Sequence, residues 1–211
     1  MDFFNKYLID TKTNVENVHS IFLFVQKVYD KNLRFSIKYL IENGTLKPTG
    51  IPRSYTYLLM DGTLLSNLLK RYENFSLQEI RNEDFEFFKI IIFYVGKGTN
   101  NRKFSHFSDK TISKKQKKME KIFENNHGVT VLQLFTETND YIALSREYAL
   151  IKALRKNDPS KITNNINSVA FGNMKDKWKT NEIINYGNML IYNALAAAIK
   201  SHPSIVYRND I

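Results

Sequence analysis

The segment Ile90-Ile91-Ile92-Phe93-Tyr94-Val95 is an unbroken run of apolar and aromatic residues, and it limits the fold more than any other feature. A short apolar run of this composition is typical of a β-strand that is covered on both faces. The triplet Gly96-Lys97-Gly98 follows directly, and we expect it to close the strand. The chain should therefore contain a small sheet with helices packed against it.

Two other segments favour strands, and amphipathic patterns around them favour helices. Residues Tyr55–Met60 and Val129–Phe135 are rich in residues that favour strands. The predicted fold class is α/β, with a small mixed sheet of about three strands flanked by helices. Residues 1–50 predict a helical extension, and prolines and glycine near position 50 place its boundary with a domain at 51–211.

Charge and composition indicate the kind of partner. The chain has 31 Lys+Arg against 21 Asp+Glu, a formal charge of +10, which attracts polyanions and most commonly nucleic acid. A basic surface without a partner is the alternative. Cysteine is absent, so disulfides and thiolate chemistry are excluded. Without an apolar run of about 20 residues or a secretory leader, we expect a soluble intracellular protein, nuclear or cytoplasmic, with no membrane partner.

Other site types fit the sequence poorly. Gly96-Lys97-Gly98 after a strand suggests a phosphate-binding loop, but the full spacing of the nucleotide-binding motifs is missing. The four histidines are far apart and have no spacing typical of zinc ligands. Taken one at a time, these signals specify no function.

In combination, four segments resemble a known nuclease superfamily. They are Tyr55-Thr56-Tyr57-Leu58-Leu59-Met60-Asp61, then Phe93–Gly98 with Arg102 and His106 after it, then Ser145-Arg146-Glu147-Tyr148-Ala149, and finally Ile162-Thr163-Asn164-Asn165. This set resembles the GIY-YIG endonucleases, in particular the branch of animal ankyrin-repeat/LEM-domain endonucleases and their bacterial and viral relatives. The similarity covers roughly residues 53–200.

The sequence departs from the superfamily pattern in two ways. Thr56 stands where the first motif of the superfamily has glycine, as it does in this branch generally. Tyr57 and Tyr94 are 94 − 57 = 37 positions apart, longer than the hairpin of many such domains, so Leu64–Phe88 predicts a helical insertion.

The resemblance implies a metal-dependent endonuclease that hydrolyses DNA, with branched or flapped DNA as a candidate substrate. Its implied catalytic residues are Tyr57, Tyr94, Arg102, His106, Glu147 and Asn164. Glu147 would bind Mg²⁺ (or Mn²⁺), a hard cation that prefers carboxylate oxygens. A non-catalytic nucleic-acid-binding module and an RNA nuclease are the alternative functions.

Each of these residues also has an ordinary explanation. A tyrosine in a strand is usually packing, and Arg102 or His106 can be part of a basic surface. Glu147 can be a surface helix residue, and asparagine is favoured in turns anyway, with Asn165 as an alternative register to Asn164.

A lysine-rich stretch near the predicted site suggests contacts with phosphates. The predicted nucleic-acid-binding residues are Lys97, Lys103, Lys114, Lys115, Lys117 and Lys118. Such density suits binding that is independent of sequence and depends strongly on salt. A solvated helix face is the alternative.

Overall fold

A computed structural model describes residues 15–48, 54–73, 80–109, 111–137, 139–164 and 169–211, with the backbone alone at 15–25 and 137. Its strands are β1 (Ser54–Asp61), β2 (Ile92–Gly98), β3 (Val129–Glu137) and β4 (Ile205–Val206). Its α-helices are α1 (Val15–Glu42), α2 (Gly62–Leu69), α3 (Asn82–Ile91), α4 (Lys114–Glu124), α5 (Asp140–Arg155), α6 (Asn173–Asp176) and α7 (Thr180–Ser201). Short 3₁₀ turns lie at Lys70–Tyr72, Arg102–Phe104 and Arg208–Asp210. The predicted α/β class is confirmed.

The sheet has the strand order β2-β1-β3-β4, and each pairing is antiparallel. The three predicted strands are present, and the two-residue β4 adds a fourth next to β3. All eight residues of β1 are buried, because it lies between β2 and β3 with helices on the sheet's faces. β2 is an edge strand, which leaves one of its sides open to groups from elsewhere in the chain.

The apolar run that predicted β2 is divided between a helix and a strand. Ile90 and Ile91 are the last residues of α3, and the strand starts only at Ile92. Phe88 and Ile91 are buried at a spacing of three residues while Ile90 is 61% exposed, which is the pattern of a helix face. Gly96-Lys97-Gly98 closes the strand as its last three residues, which pair with β1 instead of forming a turn after the strand.

The connection after β1 is the helix α2. Asp-Gly is a dipeptide typical of hairpin turns, but Asp61-Gly62 begins a helix here, because the Asp61 carboxylate accepts a hydrogen bond of 3.0 Å from the Leu64 amide. Ser76 and Glu79 have the spacing of a capping box, which predicts a helix after Ser76, and both lie outside the described residues. The expected helical insertion between the tyrosine strands is present as α2, a 3₁₀ turn and α3.

The main core lies between the sheet and helices α1, α5 and α7. Leu33 and Ile37 of α1 are fully buried in the same cluster as Leu58 and Val95 of the sheet. Arg146 of α5, 1% exposed, donates a 3.0 Å hydrogen bond to Asp30 of α1. The boundary near residue 50 remains a prediction, while the described part of α1 packs as an integral layer of the fold.

Candidate active site

The register between β1 and β2 places aromatic side chains on one face of the sheet, here called the tyrosine face. Tyr57 pairs with Gly96 and Leu59 pairs with Tyr94, so Tyr57 and Tyr94 lie on this same face. Their ring centroids are 6.2 Å apart, and a hydrogen bond joins their two hydroxyl groups. The predicted convergence of the two tyrosines is therefore present in the structure.

Gly96 makes room for Tyr57. A Cβ atom built at Gly96 would lie 2.3 Å from Tyr57 Cζ and 2.4 Å from its hydroxyl oxygen. The Tyr57 ring lies directly over the backbone of the neighbouring strand, and only glycine leaves that space. Here the glycine of the second motif serves close packing, since it sits within the strand rather than in a turn.

His106 completes an aromatic cluster with the two tyrosines. It follows the 3₁₀ turn Arg102–Phe104 and is 6% exposed. Its ring centroid lies 5.5 Å from that of Tyr57 and 5.3 Å from that of Tyr94. His106 Nε2 and the Tyr57 hydroxyl form a short hydrogen bond. The predicted His106 is thus a buried partner of Tyr57 rather than a surface histidine.

Lys115 reaches this cluster from α4. Its Nζ lies 2.6 Å from His106 Nδ1, 3.4 Å from an Asp109 carboxylate oxygen and 5.4 Å from the centroid of the Tyr94 ring. Its side chain is only 12% exposed. Sequence reasoning grouped Lys115 with the phosphate-contacting lysines, and the structure instead directs it inward.

Arg102 lies at the exposed rim of the cluster. Burial is the largest influence on the pKa of Tyr57, Tyr94 and His106; the positive charge of Arg102 partly offsets the raised pKa of the two tyrosines and adds to the lowering at His106. The turn that carries it is held by Tyr55, whose hydroxyl donates to the Asn100 carbonyl at 2.6 Å. The same hydroxyl accepts a 3.2 Å hydrogen bond from the Lys103 amide. Sequence reasoning gave Tyr55 no role, although its i, i+2 spacing from Tyr57 already places both on one face.

Glu147 approaches the two tyrosines from α5. This helix packs on the opposite face of the sheet, where the Thr56 hydroxyl donates to the Ala143 carbonyl at 3.4 Å. The negative charge of Glu147 raises the pKa of both Tyr57 and Tyr94. Glu147 is therefore close enough for its charge to act on both tyrosines, although α5 lies on the other face of the sheet.

Asn164 anchors the loop after α5 to β2. Its side-chain oxygen accepts a 2.9 Å hydrogen bond from the Val95 amide, and its side-chain nitrogen donates to the Val95 carbonyl at 2.6 Å. The asparagine amide thus occupies the open edge of the strand as another strand would. Asn164 therefore holds this loop to the strand through its side-chain amide, while Asn165, the alternative register, lies outside the described residues.

The protonation of the cluster is set mainly by burial. Burial raises the pKa of Tyr57 well above its usual value, and Tyr94 and Glu147 raise it further. Burial also raises the pKa of Tyr94, with Glu147 adding to it, while the hydrogen bond from Tyr57 and the charge of Arg102 act in the opposite direction. For His106, burial and then the charges of Lys115 and Arg102 lower the pKa to about 4. The histidine is therefore neutral at pH 7.

The other predicted lysine contacts fall into two groups. Lys97 points to the face opposite the tyrosines and forms an ion pair with Asp140. Lys103 lies on the tyrosine face, where it donates a 2.5 Å hydrogen bond to Gln133. The exposed members of the group are Lys114, Lys117 and Lys118. Of the predicted set, these three are the most accessible to a phosphate backbone.

The residues suited to a metal ion are few. In the part of the chain that the structure describes, no group of three or more His, Asp and Glu side chains converges as a metal site would require. The remaining set is the carboxylate of Glu147, whose negative charge acts on both tyrosines, together with the hydroxyls of Tyr57 and Tyr94. This set fits Mg²⁺, which keeps several waters and binds through one or two carboxylates together with substrate phosphates.

One protein family matches this chain. The model of the LEM-3-like GIY-YIG domain matches residues 54–211. No curated protein and no solved structure gives a significant match. The matched range begins at the first residue of β1 and contains each of the predicted site residues. In the described residues, moreover, none of the helices combines the length and apolarity needed to cross a bilayer.

Proposed function

Because the chain belongs to the LEM-3-like GIY-YIG domain family, whose domain implies nuclease activity, we propose that it is a metal-dependent endonuclease that hydrolyses phosphodiester bonds of DNA. The observation that carries the proposal is the cluster of Tyr57, Tyr94 and His106 on one face of the sheet, on which the charges of Arg102 and Glu147 both act. These groups come from β1, β2, the turn after β2 and α5, and packing alone gives no reason for them to meet.

The groups match the needs of phosphodiester hydrolysis. Cleavage requires a deprotonated water, neutralisation of the phosphate charge and help for the leaving oxygen. Arg102, exposed at the rim, can hold phosphate oxygens with its planar guanidinium. A tyrosine hydroxyl can orient the attacking water, and the neutral His106 holds Tyr57 in place. With a raised pKa, neither tyrosine is a base at pH 7 by itself, so a positive charge has to act on it.

A divalent metal ion fits this requirement. Glu147 would hold Mg²⁺ or Mn²⁺ beside the hydroxyls, and the ion would supply positive charge and a water of lowered pKa. The same carboxylate without a cation raises the pKa of both tyrosines, which works against ionisation. The donor set therefore agrees with a metal whose charge offsets that of Glu147.

The nature of the substrate follows from the charge and from the family. A net charge of +10 and the exposed lysines Lys114, Lys117 and Lys118 on α4 favour a polyanion bound largely through phosphates. Branched or flapped DNA is the substrate we propose to try first.

The test is cleavage of plasmid DNA and of branched DNA, each with Mg²⁺, with Mn²⁺ and with EDTA. We expect metal-dependent cutting by the wild type and loss of cutting, with retained DNA binding, by Glu147→Gln. The matched control is Glu73→Gln, an exposed glutamate outside the cluster. Absence of metal-dependent cutting by the wild type, or unchanged cutting by Glu147→Gln, contradicts the proposal. Preferential cutting of an RNA of the same structure would identify an RNA nuclease instead.

A further inference from the structure

Lys115 differs from its neighbours in the lysine-rich helix. Its side chain is 12% exposed, whereas Lys114, Lys117 and Lys118 are exposed. Its Nζ lies 2.6 Å from His106 Nδ1 and above the ring of Tyr94. A lysine whose function is to bind phosphate would gain nothing from being directed inward at a histidine.

The contact with His106 has only one possible polarity. A lysine ammonium donates hydrogen bonds and cannot accept them, so Nδ1 must be the acceptor. Asp109, 3.4 Å from Nζ, partners the ammonium charge. A neutral imidazole that accepts at Nδ1 carries its single proton on Nε2. The second ring nitrogen is therefore a donor toward the Tyr57 hydroxyl.

The direction of this first hydrogen bond sets the direction of the hydrogen bonds that follow it. If Nε2 donates to the Tyr57 oxygen, the proton of Tyr57 is free to point at the next acceptor, the Tyr94 oxygen. Tyr94 at the end of the chain accepts from Tyr57, and its own proton is left to point away from the cluster. Reversing the first bond would reverse the others.

We propose that Lys115 is a positioning residue of the active site, fixing His106 with its proton on Nε2 and so directing the hydrogen bonds from His106 to Tyr57 and from Tyr57 to Tyr94. This inference rests on the proposed function as far as catalysis is concerned. It makes Tyr94 the hydroxyl that is free to orient the attacking water, because the proton of Tyr94 points away from the cluster while Tyr57 donates to its oxygen. The histidine tautomer, however, is a property of the protein alone.

The first test needs no substrate. The ¹⁵N resonances of the His106 ring distinguish a protonated from an unprotonated nitrogen, and loss of these signals in His106→Gln assigns them among the four histidines. We expect the wild type to carry the proton on Nε2, with Nδ1 as an acceptor. In Lys115→Met the Nδ1 resonance should shift and the pKa of His106 should rise, because the cation that lowers it is gone. A wild-type proton on Nδ1, or ring resonances unchanged in Lys115→Met, overturns the proposal.

The second test separates positioning from phosphate binding. For Lys115→Met we expect kcat to fall about 10- to 100-fold, as when an outer partner of a catalytic group is removed. DNA affinity and its salt dependence should stay close to those of the wild type. In the comparison variant Lys114→Met, DNA affinity should weaken and the salt slope should fall by about 1. If Lys115→Met behaves like Lys114→Met, Lys115 is a phosphate contact and the proposal is wrong.

The two proposals fail separately. If the wild type cuts no nucleic acid, the proposed function fails, but the ring resonances still decide whether Lys115 fixes the tautomer. If the wild type cuts DNA and the resonances do not respond to Lys115→Met, only the positioning role fails. The backbone amide spectrum recorded on the same samples shows whether the variant keeps the fold.

Discussion

Replacing Gly96 by alanine tests directly how Tyr57 is held. The added Cβ would meet Tyr57 Cζ at 2.3 Å, its hydroxyl oxygen at 2.4 Å and Cε1 at 2.7 Å, distances at which real Cβ contacts do not occur. To restore ordinary contact the ring must move by about 3.4 − 2.3 = 1.1 Å. Tyr57 is 1% exposed, so it has no solvent to move into. Its hydrogen bond with His106 cannot survive such a shift.

The structure gives the size of the expected effect. Forcing one extra carbon into a packed core costs about 1–3 kcal/mol, and the lost hydrogen bond adds about 1 kcal/mol. Urea unfolding should therefore place Gly96→Ala about 2–4 kcal/mol below the wild type, at an unchanged m-value. A displacement of about 1 Å at a reacting group costs on the order of 100-fold in rate, so nuclease activity should fall at least that far.

A neighbouring glycine and a double-mutant cycle identify the cause. A Cβ at Gly98 would lie 3.1–3.2 Å from the Tyr55 ring, a contact that a few tenths of an ångström relieve, so Gly98→Ala should cost less. In a Tyr57→Ala background the clash is absent, and the penalty of Gly96→Ala should nearly vanish. If Gly96→Ala costs as much in that background as in the wild type, the ring is not the cause and this reasoning is refuted.

Three further perturbations have expected outcomes. Tyr55→Phe removes both hydrogen bonds between the Tyr55 hydroxyl and the turn that carries Arg102. The free energy of unfolding in urea should fall by about 1–2 kcal/mol, and DNA cleavage should be slower. Full activity would contradict the idea that Tyr55 holds this turn in place. Asn164→Ala leaves the buried amide and carbonyl of Val95 without partners, so the free energy of unfolding in urea should fall by about 2–4 kcal/mol. If the fall is no larger than that for an exposed asparagine replaced by alanine, Asn164 does not anchor the loop to β2. Because the folded-state pKa of His106 is lowered from 6.5 to about 4, its contribution to stability is complete above pH 6.5 and is lost as the pH falls toward 4. Across that window the free energy of unfolding of the wild type should fall by about 3 kcal/mol more than that of His106→Gln. If both proteins lose stability in parallel, the lowered pKa does not belong to His106.

The sequence predicted which aromatic side chains lie together better than it predicted the boundaries of the elements that carry them. Tyr57, Tyr94 and His106 converge because their motifs specify strand positions and one turn, which local sequence largely determines. The start of β2 was misplaced because isoleucine is common both in strands and on buried helix faces. Only the exposure of Ile90 beside buried Phe88 and Ile91 distinguishes the two, and exposure is a tertiary property.

The lysines of α4 show why part of a site lies beyond sequence reasoning. Lys114 and Lys115 are adjacent and chemically identical, so no local pattern separates a solvated lysine from one that contacts His106. Helix geometry gives the two lysines different surroundings, because successive side chains point about 100° apart around the helix axis and only one of the two can face the tyrosines. Which one does so depends on how α4 sits against β2 and β3, through Met119, Ile122 and Phe123. A charge run predicts a net attraction for phosphate, but it does not make its residues equivalent. Lys115 departs from the set because its side chain is directed at His106 rather than at solvent.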